Sequence, residues 1–296
     1  VKRAAIFGSQ GQLGAELAAT FAARAYQVAS FDHASVDITD AGAVEQAVSR
    51  CQPHLVLNAA AYNQVDRAES EPEVALAVNA LAVRNLGLAC RAVGAQLVHF
   101  STDYVFDGRA ARPYRESDAT GPLGAYAVSK LAGEHYARAY LEDALIIRTS
   151  GVFGPAGRHT RRGNFVELML RLAAEDQRIR VVEDHVASPT YAPALAERTA
   201  DLVERGATGV FHVGGGTAIS WYAWAAMIFA AAGLHPRLEP TNDREYPTAA
   251  RRPKFSALSN GKMEALGIAP MPPLETALRE YLERRASAGT GAPAGR

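Results

Sequence analysis

The sequence is poor in cysteine: Cys51 and Cys90 are the only two in 296 residues. They fall into no metal-ligand or redox spacing and read as two buried thiols kept reduced in a cytosol. Excess charge of one sign is also lacking, because 31 Lys and Arg balance 31 Asp and Glu. That balance gives no support for a nucleic-acid or membrane-surface partner, while leaving room for a local basic pocket for an anionic substrate. Long apolar runs are missing too. None approaches the roughly 18 residues of a membrane span, and Val1–Gly8 reads as a strand entering a glycine turn, not as a signal peptide. The expectation is a soluble, cytoplasmic protein. No internal repeat is visible.

What is present is a hydrophobic share of 48%, enough for a packed core. The length suits one large α/β domain with a lobe, or two modest domains. Short apolar runs alternate with helical stretches along the first half. Strands are expected at Ala4–Phe7, Val28–Phe31, Leu55–Leu57, Leu97–Phe100 and Ala144–Arg148. Helices are expected from Gly11 to Ala23, Ala41–Arg50, Pro72–Val93 (closed by Gly94) and Tyr126–Tyr140. This alternation predicts a parallel, doubly wound, Rossmann-like sheet. Beyond residue 150 it loosens. Gly151–Gly163 reads as a basic loop. Helices are expected at Phe165–Ala174, Pro193–Arg205, Trp221–Ala232 and Pro273–Arg285, with strands near Ile179–Val182 and Val210–Val213. The division expected is a dinucleotide-binding half at 1–150, its sheet completed by parts of 179–213. A substrate lobe at 151–285 and a disordered tail at 286–296 follow.

Gly8-Ser-Gln-Gly11-Gln12-Leu13-Gly14 lies at the first strand-to-helix junction, where a pyrophosphate rests on a helix N-terminus. Gly8 suits the tight turn, Gly11 close approach of backbone to phosphate, and Gly14 close helix–strand packing. Asp32 ends the second strand, 18 residues past Gly14. A carboxylate there can hold the adenosine ribose hydroxyls, which favours NADH. The other reading of Asp32 is a loop carboxylate.

Tyr126 and Lys130 stand four positions apart at the start of a helix, so phenol and ammonium share one face. A nearby lysine is expected to lower the tyrosine pKa and make it a general acid for a carbonyl receiving hydride. Ser101-Thr102-Asp103 follows the fourth strand, at the carboxyl edge where ligands of such sheets bind. There the Thr102 hydroxyl can polarise a substrate carbonyl. Each feature alone has a bland structural reading. Their order along the chain is what carries information.

These residues resemble those of an extended short-chain dehydrogenase/reductase, and more closely the dTDP-4-dehydrorhamnose reductase family. The stretches that match include Gly8–Gly14, Asn58–Tyr62, Val65–Pro72, Ser101–Phe106, Tyr126–Glu134, Arg148–Ser150, Gly163–Phe165, Ser188–Thr190 and Ala250–Pro253. The resemblance implies that Gly11, Gln12 and Leu13 hold the pyrophosphate. Asp32, Asp37 and Ile38 would surround the adenosine end, and Ala61, Tyr62, Asn63 and Phe100 would line the cofactor groove. Thr102, Tyr126 and Lys130 would be catalytic. Thr102 and Asp103 would touch the sugar, with Asn164 and Arg252 near the nucleotide diphosphate. It implies NADPH, with NADH tolerated, a nucleotide-sugar substrate and a homodimer. Some members carry magnesium at a dimer contact, where Glu16 would be the counterpart; nothing else in the sequence supports that ion, and no residue is assigned to a metal. Two alternatives stay open: a reductase of another nucleotide-linked 4-keto sugar, or a non-catalytic NADP-binding regulatory subunit of the same fold.

The chain departs from the family where a tryptophan commonly follows Arg-Thr-Ser, because Gly151 stands there. Tyr191, Trp221 and Trp224 are the aromatics that could fill the space, although core packing is their ordinary role. His185, beside Asp184, reads as solvent-facing or hydrogen-bonded, not catalytic. Arg158, Arg161 and Arg162 could clamp a phosphate or be solvated.

Overall fold

The central strands are short, and all but the edge strand Gln27–Phe31 are buried on both faces, the pattern of a parallel sheet covered on each side. They are β1 (Arg3–Phe7), β2 (Gln27–Phe31), β3 (Leu55–Asn58), β4 (Gln96–Thr102) and β5 (Leu145–Thr149). A computed structural model describes residues 1–159, 163–175 and 178–289. Helices α1 (Gln12–Ala23) and α2 (Ala41–Cys51) connect the first strands. Asp40 caps α2 by accepting from the amides of Gly42 and Ala43, which satisfies two of its orphan donors. Next come α3 (Pro72–Leu76), a π-helical stretch at Ala77–Leu81, and α4 (Ala82–Val93), closed by Gly94 in the left-handed region at φ 70°. α5 (Ala125–Tyr140) joins β4 to β5.

The second half supplies β6 (Val152–Phe153), α6 (Phe165–Ala174), β7 (Ile179–Val182), β8 (Val186–Ala187), β9 (Thr190–Tyr191) and α7 (Ala192–Glu204). It ends with β10 (Gly209–His212), β11 (Ile219–Ser220), α8 (Trp221–Ala232), β12 (Leu238–Thr241), α9 (Gly261–Glu264) and α10 (Leu274–Gly289). Six parallel strands form the main sheet in the order β10-β5-β4-β3-β1-β2. From β1 the chain moves to β2 on one side and β3 on the other, so a crevice opens at the carboxyl ends of β1 and β3. One core layer packs α1 and α7 on the sheet, and the other packs α2, α4 and α5. A third core, around Phe153, Trp224 and Tyr281, belongs to the lobe.

Several expectations need correction. Of the stretch 179–213, only β10 joins the main sheet; β7 pairs with β12 in a separate two-stranded sheet. The expected loop after Gly151 contains β6, paired with β9, and a 3-10 turn at Pro155–His159. Arg161 and Arg162 lie outside the described residues. The last helix runs through residues 286–289, which were expected to be disordered; 290–296 lie outside the described residues. Pro72–Val93 is, by length and composition, apolar enough to cross a membrane. It is a core helix here, half buried between α2 and α5.

Candidate active site

The crevice holds a cavity of about 660 Å³, within the range of small-molecule sites. Gly11, Gln12 and Leu13 after β1 line one end. Asn58–Gln64 from the end of β3 onward, Phe100–Asp103 at the end of β4, and Thr149 and Gly151 at and just beyond the end of β5 line the rest, with Tyr126 and Lys130 from α5. In-register pairing of Phe7 with Asn58, and of Thr102 with Thr149, aligns the strand ends that deliver these residues.

The glycine turn is as tight as its spacing requires. Gly8 has φ +78°, and a Cβ there would lie 2.6 Å from the Ala60 nitrogen. A Cβ on Gly14 would lie 2.1 Å from the Gly8 carbonyl oxygen. α1 opens at Gly11 with no side-chain cap, so its first-turn amides and positive dipole end are presented to the cavity, as a pyrophosphate needs. These residues fit a dinucleotide. Asp32, Asp37 and Ile38, expected around the adenosine, are not among the residues that line this cavity. Asp32 accepts from the Ser35 amide at 2.8 Å and from Gln10 Nε2 at 2.5 Å; hydrogen bonds with Ser35 hold its carboxyl below the ordinary range. Asp37 is engaged by the Thr39 amide and hydroxyl. Ile38 is buried in the α2-side core.

The sequence expectation that Lys130 lowers the Tyr126 pKa is not met. Burial pushes the phenol up, and the opposing influence is a hydrogen bond with Thr102. Lys130 is buried, its ammonium donating to the Phe100 carbonyl at 2.6 Å, and burial pulls it down to about 8. Thr102 Oγ1 donates to Asp103 Oδ1 at 3.1 Å and accepts from the Tyr104 amide. Asp103 is buried and also accepts from Ser150 at 2.8 Å and from Ser256. Burial pushes its carboxyl up to about 6, against the pull of those hydroxyls.

Several positioning residues were given no role by the sequence reading, although Glu134, Arg148, Asp66 and Glu69 lie in stretches that carry the resemblance. Glu134, one turn beyond Lys130, takes a bidentate ion pair from Arg148 at 2.9 and 2.7 Å and a hydrogen bond from Ser101. It pins α5 to β4 and β5. Asn79, in the π-helical stretch, accepts from the Tyr62 amide and donates to the Tyr62 carbonyl and to Ser129; π-turns of this kind recur at functional sites. Two members of the Val65–Pro72 stretch act structurally. Glu69 accepts from the Ala125 amide at the start of α5. Asp66 takes Arg252 bidentately at 2.6 and 3.0 Å. Arg252, expected near the diphosphate, is thus held by Asp66, and it also bonds to Tyr104. Asn164 caps α6 and lies 3.5 Å from Gln12 Oε1.

At the departure point, Gly151 has φ +50°, and a Cβ there would meet the Trp221 ring at 3.3 Å. Trp221, half-buried, also packs on Phe165 with centroids 4.7 Å apart. Trp224 and Tyr191 are core residues. His185, read as solvent-facing or hydrogen-bonded, is 7% exposed and so not solvent-facing. Arg158 donates to the Arg285 carbonyl. At Glu16, where the resemblance implies magnesium, the neighbouring charges are those of Arg284 and Glu280. Burial raises the Glu16 carboxyl, and the opposing positive charge comes from Arg284, which pairs with Glu280 at 2.6 Å.

A Rossmann-like sheet with a hydroxyl–tyrosine–lysine set beside a dinucleotide-binding turn defines an NAD(P)-dependent reductase of the extended short-chain class. Comparison with known proteins narrows this class. The model of the RmlD substrate binding domain matches residues 2–287, and the chain belongs to that family. It is 39% identical to the spore coat polysaccharide biosynthesis protein SpsK of Bacillus subtilis, over 96% of this chain and 98% of that one. It is 38% identical to a dTDP-4-dehydrorhamnose reductase of Streptomyces griseus, over 93% and 91%. A dTDP-4-dehydrorhamnose reductase of Bacillus anthracis, solved in complex with NADP, superposes with TM-score 0.90 at 35% identity, covering 95% of this chain and 99% of that one.

Proposed function

We propose that this protein reduces the C4 keto group of dTDP-4-dehydrorhamnose to give dTDP-L-rhamnose, using NADPH. The observation that carries the reading is the meeting of Thr102, Tyr126 and Lys130 in one cavity with the open N-terminus of α1. When bound, the reduced nicotinamide supplies a hydride to the substrate carbonyl carbon. Thr102 orients the carbonyl by turning its hydroxyl from Asp103 to the substrate oxygen. Tyr126 gives its phenolic proton to the oxygen that becomes the alcohol. Its raised pKa keeps that proton in place until the alkoxide, a far stronger base, is formed. Lys130 braces the cofactor side of the site, its ammonium held by the Phe100 carbonyl. Trp221, against Gly151, walls the sugar subsite in place of an aromatic at position 151.

With this reading go a cytoplasmic location and a homodimer, both proposals that rest on the family resemblance. Rates of NADPH oxidation with dTDP-4-dehydrorhamnose and with other nucleotide-linked 4-keto sugars test the assignment. Faster turnover of another sugar would reassign the substrate, and no turnover of any would favour a non-catalytic binding subunit.

A further inference from the structure

Away from the cavity, Asp184, His185 and Asp243 bring one ligand atom each within 4.8 Å of one another. Asp184 and His185 sit in the turn between β7 and β8. Asp243 follows β12, the partner of β7, in which Thr241 pairs with Val182. His185 is more than nine-tenths buried, and its Nε2 has no hydrogen-bond partner. That nitrogen lies 4.0 Å from Asp243 Oδ2, so it is turned into the cluster. Asp184 Oδ1 is likewise buried without a partner. An unsatisfied buried polar group is destabilising, so two in one cluster ask for an explanation.

Lys254 reaches in from outside, 3.0 Å from Asp184 Oδ2 and 3.3 Å from Asp243 Oδ2. It answers only one oxygen of each carboxylate and neither unpartnered atom. Its single charge leaves one of the two carboxylates uncompensated. Its side chain is 57% exposed, so it can leave without unpacking the fold.

We infer that Asp184, His185 and Asp243 form a site for a divalent transition metal, from which Lys254 is displaced. One imidazole nitrogen and two carboxylate oxygens suit zinc or cobalt better than magnesium or calcium, which prefer oxygen alone. Three protein ligands leave a position for water. Bonds near 2.1 Å set ligand atoms roughly 3.4 Å apart, so the half-exposed Asp243 closes inward on binding. The metal fastens the end of β12 to the turn that enters β8. There the Val186 carbonyl accepts from the Ser256 amide, and Ser256 in turn donates to Asp103.

The test is a titration of the untagged full chain with cobalt(II), followed by visible absorption, with zinc as displacing ion and magnesium as control. The expected result is one cobalt per chain, with d–d bands abolished by zinc and untouched by magnesium. His185→Gln loses that stoichiometric site. Asp243→Asn, at a half-exposed position that leaves the fold intact, loses it too. Lys254→Met binds about tenfold tighter, the effect of removing one partly screened positive charge. Absence of saturable cobalt binding in the wild type, unchanged affinity in His185→Gln or Asp243→Asn, or no gain in Lys254→Met would each overturn the inference. None of these readouts depends on which sugar nucleotide the enzyme reduces.

Discussion

Lys130 donates from its buried ammonium to the Phe100 carbonyl at 2.6 Å, so the helix that carries Tyr126 is tied to the strand that carries Thr102. Burial pulls Lys130 down to about 8. The folded state therefore releases this proton before the unfolded chain, which holds it to an ordinary lysine value near 10.5. Between those values the unfolded chain binds more protons, so Lys130 makes stability rise with pH in that window. Turnover moves the other way, falling as the ammonium is lost above about pH 8. Denaturation midpoints and kcat measured from pH 7 to 10 check both signs. Lys130→Met should flatten the stability rise and lose most turnover.

Glu134→Ala leaves Arg148 buried and unpaired beneath the site, because the bidentate pair is almost fully enclosed. The expected cost is about 3–5 kcal/mol, read by urea unfolding. If the variant is as stable as the wild type, Glu134 does not anchor α5.

Gly14→Ala places a methyl 2.1 Å from the Gly8 carbonyl oxygen, a backbone atom that cannot swing aside. Overpacking of this kind costs about 1–3 kcal/mol, and it distorts the turn on which the pyrophosphate rests. Lowered thermal stability together with weakened NADPH binding, by calorimetry, is the expected pair of results.

Much of this organisation was legible in the sequence. The spans of α6, α8 and β7 coincide with the stretches read from periodicity. Local chemistry marks their ends: Asn164 and Ser220 cap the two helices, and Gly233 closes the second. Order along the chain placed Gly11, Thr102, Tyr126 and Lys130 at one cavity. What sequence reading missed depends on distant partners. The partner of β7 is β12, a strand interrupted by Pro240 and therefore weak as a local signal. The Glu134–Arg148 pair exists only because α5 lies across β5. The π-helical stretch that turns Asn79 toward Tyr62 sits inside an otherwise ordinary apolar helix. Burial of His185 brings it beside residues distant in sequence, Trp221 and Asp243, which no local pattern announces.

Trp221→Ala should raise KM for the sugar nucleotide about tenfold, the loss of one aromatic wall, with KM for NADPH unchanged. Gly151→Ala, which crowds the same ring, should act in the same direction. Steady-state kinetics with each substrate varied separately distinguishes a sugar subsite from general damage.

The most direct measurement is NADPH oxidation with dTDP-4-dehydrorhamnose, comparing the wild type with Tyr126→Phe, alongside NADPH binding by each. Tyr126 acting as proton donor predicts a loss of roughly 10²–10⁴ in kcat with cofactor binding retained. A Tyr126→Phe enzyme that turns over the keto sugar at the wild-type rate would contradict it.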